Sequence, residues 1–216
     1  MSLYDIFANE PQRESEANKV VGVAVGVVTN NKDPENLGRV RVKFPWFSDD
    51  DESQWARIAT FMAGKNRGAL FLPEVDDEVL VAFEHGDMRR PYIIGALWNG
   101  VDTPPKELAN DGKNNVRLIK SRSGHLIKLD DTEDGEKIEV IDKSGKNSIL
   151  IDTTANTITI TSNEDIVLKA PEGKISLQSK EIEVKSTAVA KIEAGSEMTL
   201  KASGTMTVKG SAVNIN

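Results

Sequence analysis

Apolar and polar residues alternate in short runs over the first hundred residues of the chain. The alternation predicts five or six short strands separated by turn-rich loops, at residues 20–28, 39–44, 54–62, 69–72, 78–84 and 91–98. Strands in this number and at this spacing are typical of a small Greek-key barrel such as an OB-fold, although the pattern alone does not select the barrel type. We therefore expect a tail at residues 1–18 and a β-barrel at residues 19–100.

A second pattern begins after residue 116, where two apolar residues separated by one other residue recur along the chain. The step is eight residues from Ile182 to Met206 and between seven and eleven residues upstream. Each pair predicts a strand with one buried face, and the Gly, Ser, Asn, Lys and Asp residues between pairs predict tight corners. The pairs are Ile127/Leu129, Ile138/Val140, Ile149/Ile151, Ile158/Ile160, Ile166/Leu168, Ile175/Leu177, Ile182/Val184, Ala190/Ile192, Met198/Leu200, Met206/Val208 and Val213/Ile215.

Repeats this short cannot bury a face alone, so we expect them to stack. A single chain wound into a β-solenoid leaves both ends of the stack open to aggregation. Three chains wound together into an intertwined triple-stranded β-helix pair almost every strand edge with another chain, and we favour this homotrimer over residues 117–216, after a linker at residues 101–116. At about 4.8 Å between strands, the homotrimer forms a needle about 50 Å long. The side chains predicted to form the trimer core are Ile158, Ile160, Ile166, Leu168, Ile175, Leu177, Ile182, Val184, Ile192, Met198, Leu200, Met206 and Val208.

The composition supports a division of the all-β chain into two structures. All the aromatic residues lie before residue 99, and a core built without aromatic side chains must be thin and repetitive. The chain has no cysteine, which excludes disulfides, thiolate metal sites and thiol catalysis and fits a protein made in the cytoplasm. Its net charge of −7 argues against a nucleic-acid partner, because phosphate binding needs clustered Lys and Arg.

Several motifs of the barrel segment resemble those of a known family. They stand at residues 33–34 (DP), 38–46 (GRVRVKFPW), 55–58 (WARI), 72–75 (LPEV), 77–83 (DEVLVAF), 85–87 (HGD) and 89–99 (RRPYIIGALWN). The set is similar to the baseplate assembly protein V and VgrG family, whose members form the central spike of contractile phage tails, type VI secretion systems and related injection particles. Two positions depart from the family pattern, because Asp76 stands where Gly is usual and Met88 where Pro is common. We expect Asp76 to adopt the left-handed backbone conformation, which Asp tolerates at some cost.

The resemblance implies an OB-fold followed by a trimeric β-helix, in agreement with the two patterns described above. It also implies three partners: a separate hub protein at the end of the tail tube, a conical PAAR-type tip protein, and a target membrane that is contacted transiently. A structural protein without catalytic residues or cofactors is expected, assembled in the cytoplasm as part of a virion baseplate or injection particle. The lysozyme domain of one phage spike is not expected, because residues 99–115 are too few to hold it.

Both ends of the chain are predicted to contact partners. The predicted hub contact is an apolar cluster of Leu3, Tyr4, Ile6 and Phe7, which docks on the hub or on a neighbouring protomer unless the terminus is simply frayed. The predicted contact with the tip protein comprises Val213, Asn214, Ile215 and Asn216.

Other residues that carry chemistry are better explained by structural roles. His85 and His125 lack the spacing of a ligand pair, so no metal site is predicted. The acidic run at residues 130–135 resembles the start of a calcium loop, but Ile141 stands where a bidentate Glu is required, and a hairpin turn is favoured. Trp46 and Phe47 have rings of the kind on which OB-folds stack bases, yet the acidic charge of this half favours packing roles for them. An envelope-degrading enzyme and a single-stranded nucleic-acid-binding OB-fold protein are the alternative functions.

Overall fold

The protein, seen in a computed structural model, is described over residues 19–47, 51–108 and 111–215. Within these ranges the secondary structure consists of twelve β-strands and one short 3-10 turn, and there is no α-helix. The chain divides into two compact units, Met1–Glu164 and Asp165–Asn216. The all-β fold class predicted from the sequence is confirmed.

A five-stranded sheet forms half of a barrel in the first unit. Its strands are β1 (Val23–Asn30), β2 (Arg41–Lys43), β3 (Arg57–Ile58), β6 (Glu78–Phe83) and β7 (Pro91–Ala96). They lie in the order β2-β1-β6-β7-β3, and every neighbouring pair is antiparallel except β7 and β3, which are parallel. The register shifts in β1 between Val28 and Asn30 and in β7 between Ile93 and Gly95, and such bulges bend a sheet.

Alternate residues of these strands form the barrel core. The buried side chains are Val28, Val40, Val42, Phe44, Ala56, Val79, Val81, Phe83 and Ile93. In β6 the buried positions alternate with less buried ones, and the ring of Phe83 lies 5.6 Å from that of Phe44. This period of two is the pattern from which the sequence predicted half-buried strands.

The loop that precedes β2 is held by the carboxylate of Asp33. This carboxylate accepts hydrogen bonds from the Arg39 side chain at 2.7 and 2.8 Å and from the backbone N–H groups of Glu35, Leu37 and Arg39. The Arg39 guanidinium, aided by the backbone donors, holds the pKa of Asp33 well below its usual range. Asp33 and Arg39, both within family-like motifs, therefore have a structural role.

A two-stranded arm, β4 (Ala63–Gly64) and β5 (Arg67–Gly68), lies between β3 and β6 in the chain. The prediction of a strand at residues 69–72 is wrong, and the hairpin lies upstream at residues 63–68. Gly68 makes the close pairing possible, because its φ is 156° and an added Cβ would lie 2.7 Å from the Met62 carbonyl oxygen. Leu70 and Phe71 are consecutive and exposed, so no alternating buried face draws this segment into the sheet.

The turn before β6 confirms one expectation about an individual residue. Asp76 has a φ of 77°, within the left-handed region, as its place in the family motif predicts. Its backbone N–H donates to the Val28 carbonyl at 2.9 Å, which ties the turn to β1.

The remaining strands form a second antiparallel sheet, here called the meander. It consists of β8 (Val116–Lys120), β9 (Leu126–Asp130), β10 (Lys137–Ile141), β11 (Ser148–Asp152) and β12 (Thr157–Thr161). Each strand pairs with the next one along the chain. The acidic run at residues 130–135 is part of the hairpin between β9 and β10, as predicted.

These pairings differ from the expectation that strands beyond residue 116 pair with other chains. The apolar pairs that begin at Ile127, Ile138 and Ile149 are eleven residues apart, which leaves room for a reversing turn between five-residue strands. Asp134 has a positive φ in the first of these turns, and the Asp142 carboxylate accepts hydrogen bonds in the second. Asn156 has a positive φ in the turn before β12, where the spacing is nine residues. Local turn chemistry therefore closes hairpins within one chain.

The second unit begins where the spacing of the apolar pairs falls to about eight residues. From Asp165 to Ile215 the structure contains no strand or helix, and the large apolar side chains are exposed. A five-residue strand leaves about three residues for the connection in an eight-residue step, fewer than the four to six residues that connect the strands of the meander.

Candidate functional site

One face of the meander carries two straight columns of apolar side chains. The antiparallel registers place one column at Ile119, Ile127, Val140, Ile149 and Ile160 and the other at Leu129, Ile138, Ile151 and Ile158. These nine side chains are 38–72% exposed. Monomeric proteins rarely expose a continuous apolar face of this kind, so the face, here called the apolar face, is a candidate assembly surface.

The opposite face of the meander, here called the mixed face, is less exposed and combines apolar and charged side chains. Its apolar members are Val116, Leu118, Leu126, Ile141 and Leu150. The Lys128 ammonium lies 2.9 Å from the Asp130 carboxylate and 3.1 Å from that of Glu139, and these side chains are only 13–18% exposed. A hydrogen bond from the Thr132 hydroxyl, supported by Lys128, lowers the pKa of Asp130 to about 2. Burial alone lowers the pKa of Lys128, but its bonds to Asp130 and Glu139 outweigh burial and raise it.

Two ion pairs join the meander to the preceding parts of the first unit. Lys120, on the mixed face, contacts Glu107 of the linker at 2.6 Å, and this contact lowers the pKa of Glu107. Arg122, in the turn after β8, contacts Glu74 of the loop before β6 at 2.7 Å. Glu107 therefore lies on the mixed face, and the apolar face has no partner among the described residues of the first unit.

The predicted trimer-core residues fall into two groups. Ile158 and Ile160 lie on β12 at the edge of the apolar face, where the register places them beside Ile151 and Ile149. The other predicted core residues, from Ile166 to Val208, lie in the second unit and are 46–81% exposed. The prediction that they meet on a common axis stays a prediction.

The predicted terminal contacts are placed only in part. Leu3, Tyr4, Ile6 and Phe7 lie outside the described residues, as does Asn216. Val213 and Ile215 are 50% and 90% exposed, and Asn214 is exposed between them.

The two histidines occupy separate places in the first unit. His85 adopts a positive φ of 52° in the turn Glu84–Gly86, and the Nδ1 atom of His125 accepts a hydrogen bond from the Lys143 backbone N–H at 3.2 Å. No group of three or more possible metal ligands is found among the described residues. Those residues also contain no helix with the length and apolarity that crossing a bilayer requires.

A second apolar surface was missed by the sequence interpretation. Phe61, Met62, Leu70 and Phe71 flank the β4–β5 arm, and with Ile94 of β7 they line a groove. These side chains are 45–96% exposed. The signal was present as adjacent apolar pairs on either side of a Gly-rich turn, but a search for strand-like alternation assigns such pairs to buried strands.

Trp46 and Phe47 lie beside the core without entering it. Their rings are 5.8 Å apart, Trp46 is 5.8 Å from the ring of Phe44, and both are more than half exposed. The exposure of these two side chains contradicts a role in core packing. Their contact with a partner stays a prediction.

Comparisons with known proteins agree with this architecture. Residues 24–98 match the type VI secretion system/phage-baseplate injector OB domain. The type VI secretion system spike protein VgrG1a of Pseudomonas aeruginosa is 31% identical over 154 residues, which are 67% of this chain and 23% of the relative. VgrG1b of the same organism is 32% identical over 63% of this chain and 19% of its own length. VgrG3 of Vibrio cholerae is 34% identical over 42% of this chain and 9% of its own length.

The chain spans less than a quarter of the length of these relatives. The match to VgrG1a extends over more residues than the OB domain alone. The motifs, the half-barrel sheet and the matches lead to one assignment. The chain carries the type VI secretion system/phage-baseplate injector OB domain at residues 24–98 and is VgrG-like over 67% of its length.

Proposed function

We propose that the protein is a structural spike component of a contractile injection apparatus, in which three copies assemble through their apolar faces. The observation that carries the proposal is the pair of apolar columns on the meander, which have no partner among the described residues of the first unit. Similarity to the type VI secretion system spike proteins VgrG1a and VgrG1b supports the spike role.

Three copies suit the shape of the apolar face. One or two apolar side chains per strand make a narrow strip, and three such strips can meet around an axis without the large aromatic side chains that a wider core needs. One column runs across all five strands and the other across β9 to β12, so the same contact repeats along the strip and favours a single register. The Lys128, Asp130 and Glu139 network then lies on the face away from the proposed axis.

The same argument applies to the apolar pairs of the second unit. Its apolar pairs have no partner within the described chain and recur at about eight residues, with glycines between them. We propose that these pairs form strands only when three chains wind together, because each strand then takes its backbone hydrogen bonds from a neighbouring chain. The result is the intertwined triple-stranded β-helix predicted from the sequence.

The proposed mechanism is mechanical. The OB domain joins a hub protein at the end of the tube, the needle carries a PAAR-type tip, and contraction drives the needle through a target membrane. Bending such a needle requires many interchain hydrogen bonds to break together, so the assembly transmits force without catalysis or a cofactor. We assign the hub contact to Leu3, Tyr4, Ile6 and Phe7 and the tip contact to Val213, Asn214, Ile215 and Asn216.

The native mass in solution tests the proposal. Light scattering is expected to give about three times the chain mass of 23.6 kDa, and the mass is expected to survive mild detergent. A species near 23.6 kDa at all concentrations contradicts the proposed assembly.

Partner binding needs a second experiment. Deletion of residues 1–12 is expected to weaken capture of the hub protein that is encoded with this chain, while the trimeric mass is retained. Unchanged capture by the deletion variant removes the N-terminal segment as the hub contact and leaves the trimer proposal intact.

A further inference from the structure

The groove beside the β4–β5 arm, here called the arm groove, suits a short apolar segment as its occupant. It lies between the arm, the residues that follow β3 and the end of β7. Its exposed walls include Leu37, Phe61, Leu70 and Ile94, and Arg67 is its single charged lining residue. An occupant that matches these walls is apolar and carries one negative charge.

The N-terminal segment of this chain has that chemistry. Residues 3–7 read Leu-Tyr-Asp-Ile-Phe, so four apolar or aromatic side chains surround one acidic side chain, Asp5. An Asp5 carboxylate facing the Arg67 guanidinium forms a charge-assisted contact, and the walls of the groove remove the other four side chains from water.

The segment can reach the groove of its own chain. The described chain begins at Lys19, and the Val20 backbone N–H donates to the Gly86 carbonyl at 3.0 Å in the turn that leads into β7. The groove lies near the far end of β7, about 17 Å from Pro91 at a rise of about 3.3 Å per residue. Twelve residues from Phe7 to Lys19 extend up to about 40 Å, which is more than the required distance.

We propose that residues 3–7 occupy the arm groove of the same chain, with Asp5 against Arg67, before a hub is bound. The groove is then the resting site of the segment, and hub binding draws the segment out of it. The proposal concerns the protein alone, so its test is separate from the tests of the trimer and of the hub contact.

Disulfide trapping provides a direct test, because the chain has no cysteine of its own. The double variant Phe7→Cys and Leu70→Cys is oxidised in the absence of a hub, and the linked peptides are identified by mass spectrometry. The matched control pairs Phe7→Cys with Val101→Cys, because Val101 is 88% exposed and lies outside the groove. Docking raises the local concentration of one thiol near the other. We therefore expect the yield of the disulfide within one chain to be at least about tenfold higher for the trapping variant than for the control.

A variant that fills the groove gives an independent test. Gly95 lines the groove, and a Cβ added there meets nothing within 4 Å, so Gly95→Leu is expected to preserve the fold and obstruct the segment. Gly100→Leu is the matched control, because Gly100 is equally open but lies outside the groove. In the trapping variant, Gly95→Leu is expected to reduce the yield to that of the Val101 pair, and Gly100→Leu is expected to leave it unchanged.

Charge reversal tests the contact between Asp5 and Arg67. Arg67→Glu is expected to lower the trapping yield, and adding Asp5→Lys is expected to restore it. The proposal is overturned by a yield equal to that of the control pair, by insensitivity to Gly95→Leu, or by failure of the double reversal to restore trapping. Disulfides that link two chains rather than one also overturn it, because they place the segment in the groove of another copy.

Discussion

The substitution Ile158→Asp is expected to abolish self-assembly while the single chain remains folded. Ile158 lies on the edge strand β12, opposite Ile151, and its side chain is 72% exposed in the isolated chain. Substitutions at exposed positions usually change stability by less than about 0.5 kcal/mol, and Asp adds up to about 1 kcal/mol through its low strand propensity. The meander of one chain therefore tolerates the change.

The expected loss of assembly free energy is much larger than the loss of stability of the single chain. Full burial of an Ile side chain stabilises by about 1.5–3 kcal/mol, and the exposed fraction of Ile158 leaves about 1.1–2.2 kcal/mol of that gain for assembly. The nine side chains of the apolar face are about half exposed on average, which leaves about 7–13 kcal/mol per chain. The substitution Ile158→Asp removes the burial free energy that Ile158 contributes on assembly. It also places three carboxylates in one apolar interface, each with a desolvation penalty of several kcal/mol.

Thr159→Asp is the matched control for this substitution. Thr159 is the next residue on β12 and lies on the opposite face, where it pairs with Leu150. The substitution introduces the same charge and a comparable loss of strand propensity on the mixed face of the sheet. Light scattering over a range of concentrations gives the mass of each variant, and circular dichroism gives its β-content.

The expected result is a folded monomer for Ile158→Asp and an oligomer of the parent mass for Thr159→Asp. An Ile158→Asp oligomer with the concentration dependence of the parent protein refutes the assignment of the apolar face to assembly. Equal dissociation of both variants refutes it as well, because the effect then follows from strand propensity rather than from the face.

Three further predictions concern other parts of the molecule. Ile182→Asp or Leu200→Asp is expected to prevent trimer assembly through the second unit, because three like charges would meet on one axis, and an intact soluble trimer in light scattering would contradict the predicted core. The pKa of Asp130 lies at about 2, below its ordinary value of 3.8, so its stabilising contribution is complete above about pH 4 and disappears as the pH falls through about 2. Denaturant unfolding followed by circular dichroism is expected to show this acid sensitivity, and Asp130→Asn is expected to reduce it; identical pH profiles for both proteins would remove Asp130 as the cause. Gly68→Ala is expected to destabilise the β4–β5 arm by about 1 kcal/mol or more, because φ is 156° and the new Cβ lies 2.7 Å from the Met62 carbonyl oxygen. Hydrogen exchange of the arm amides measures the loss, and unchanged protection would show that the arm tolerates a side chain at this position.

The apolar face and the arm groove are both large apolar surfaces in the described part of the first unit. They differ in form, because the face is a flat strip that repeats at every strand, whereas the groove is concave and contains one positive charge. A flat repeating strip suits copies of itself in register, and a concave site suits a short extended or helical segment. The two proposed occupants follow from this difference in shape.

Much of the barrel could be predicted from the sequence because local rules decide it. The alternation in residues 39–44 and 78–84 predicted β2 and β6, and the buried side chains of Val42, Val79 and Val81 occupy the expected face. Asp76 was expected in the left-handed region, and it is there. These features depend on backbone conformation and on a period of two, both of which are properties of neighbouring residues.

Other features depended on contacts that a linear pattern does not contain. The arm and its groove form because Gly68 permits the close approach of Met62, and the exposed pairs Phe61-Met62 and Leu70-Phe71 follow from that pairing. The ion pairs of Glu107 with Lys120 and Glu74 with Arg122 join residues far apart in the chain. No local propensity specifies such partners.

The sequence by itself determined that apolar pairs recur beyond residue 116 and that each must bury one face. Only the tertiary structure decided that the first of them pair as hairpins within one chain and align in two columns on a single side. The reason is the turn length, because a spacing of nine to eleven residues leaves four to six residues in which the chain reverses on itself and pairs in register. The same register that satisfies the backbone leaves the apolar face exposed, and that exposed face is the basis for the proposed assembly.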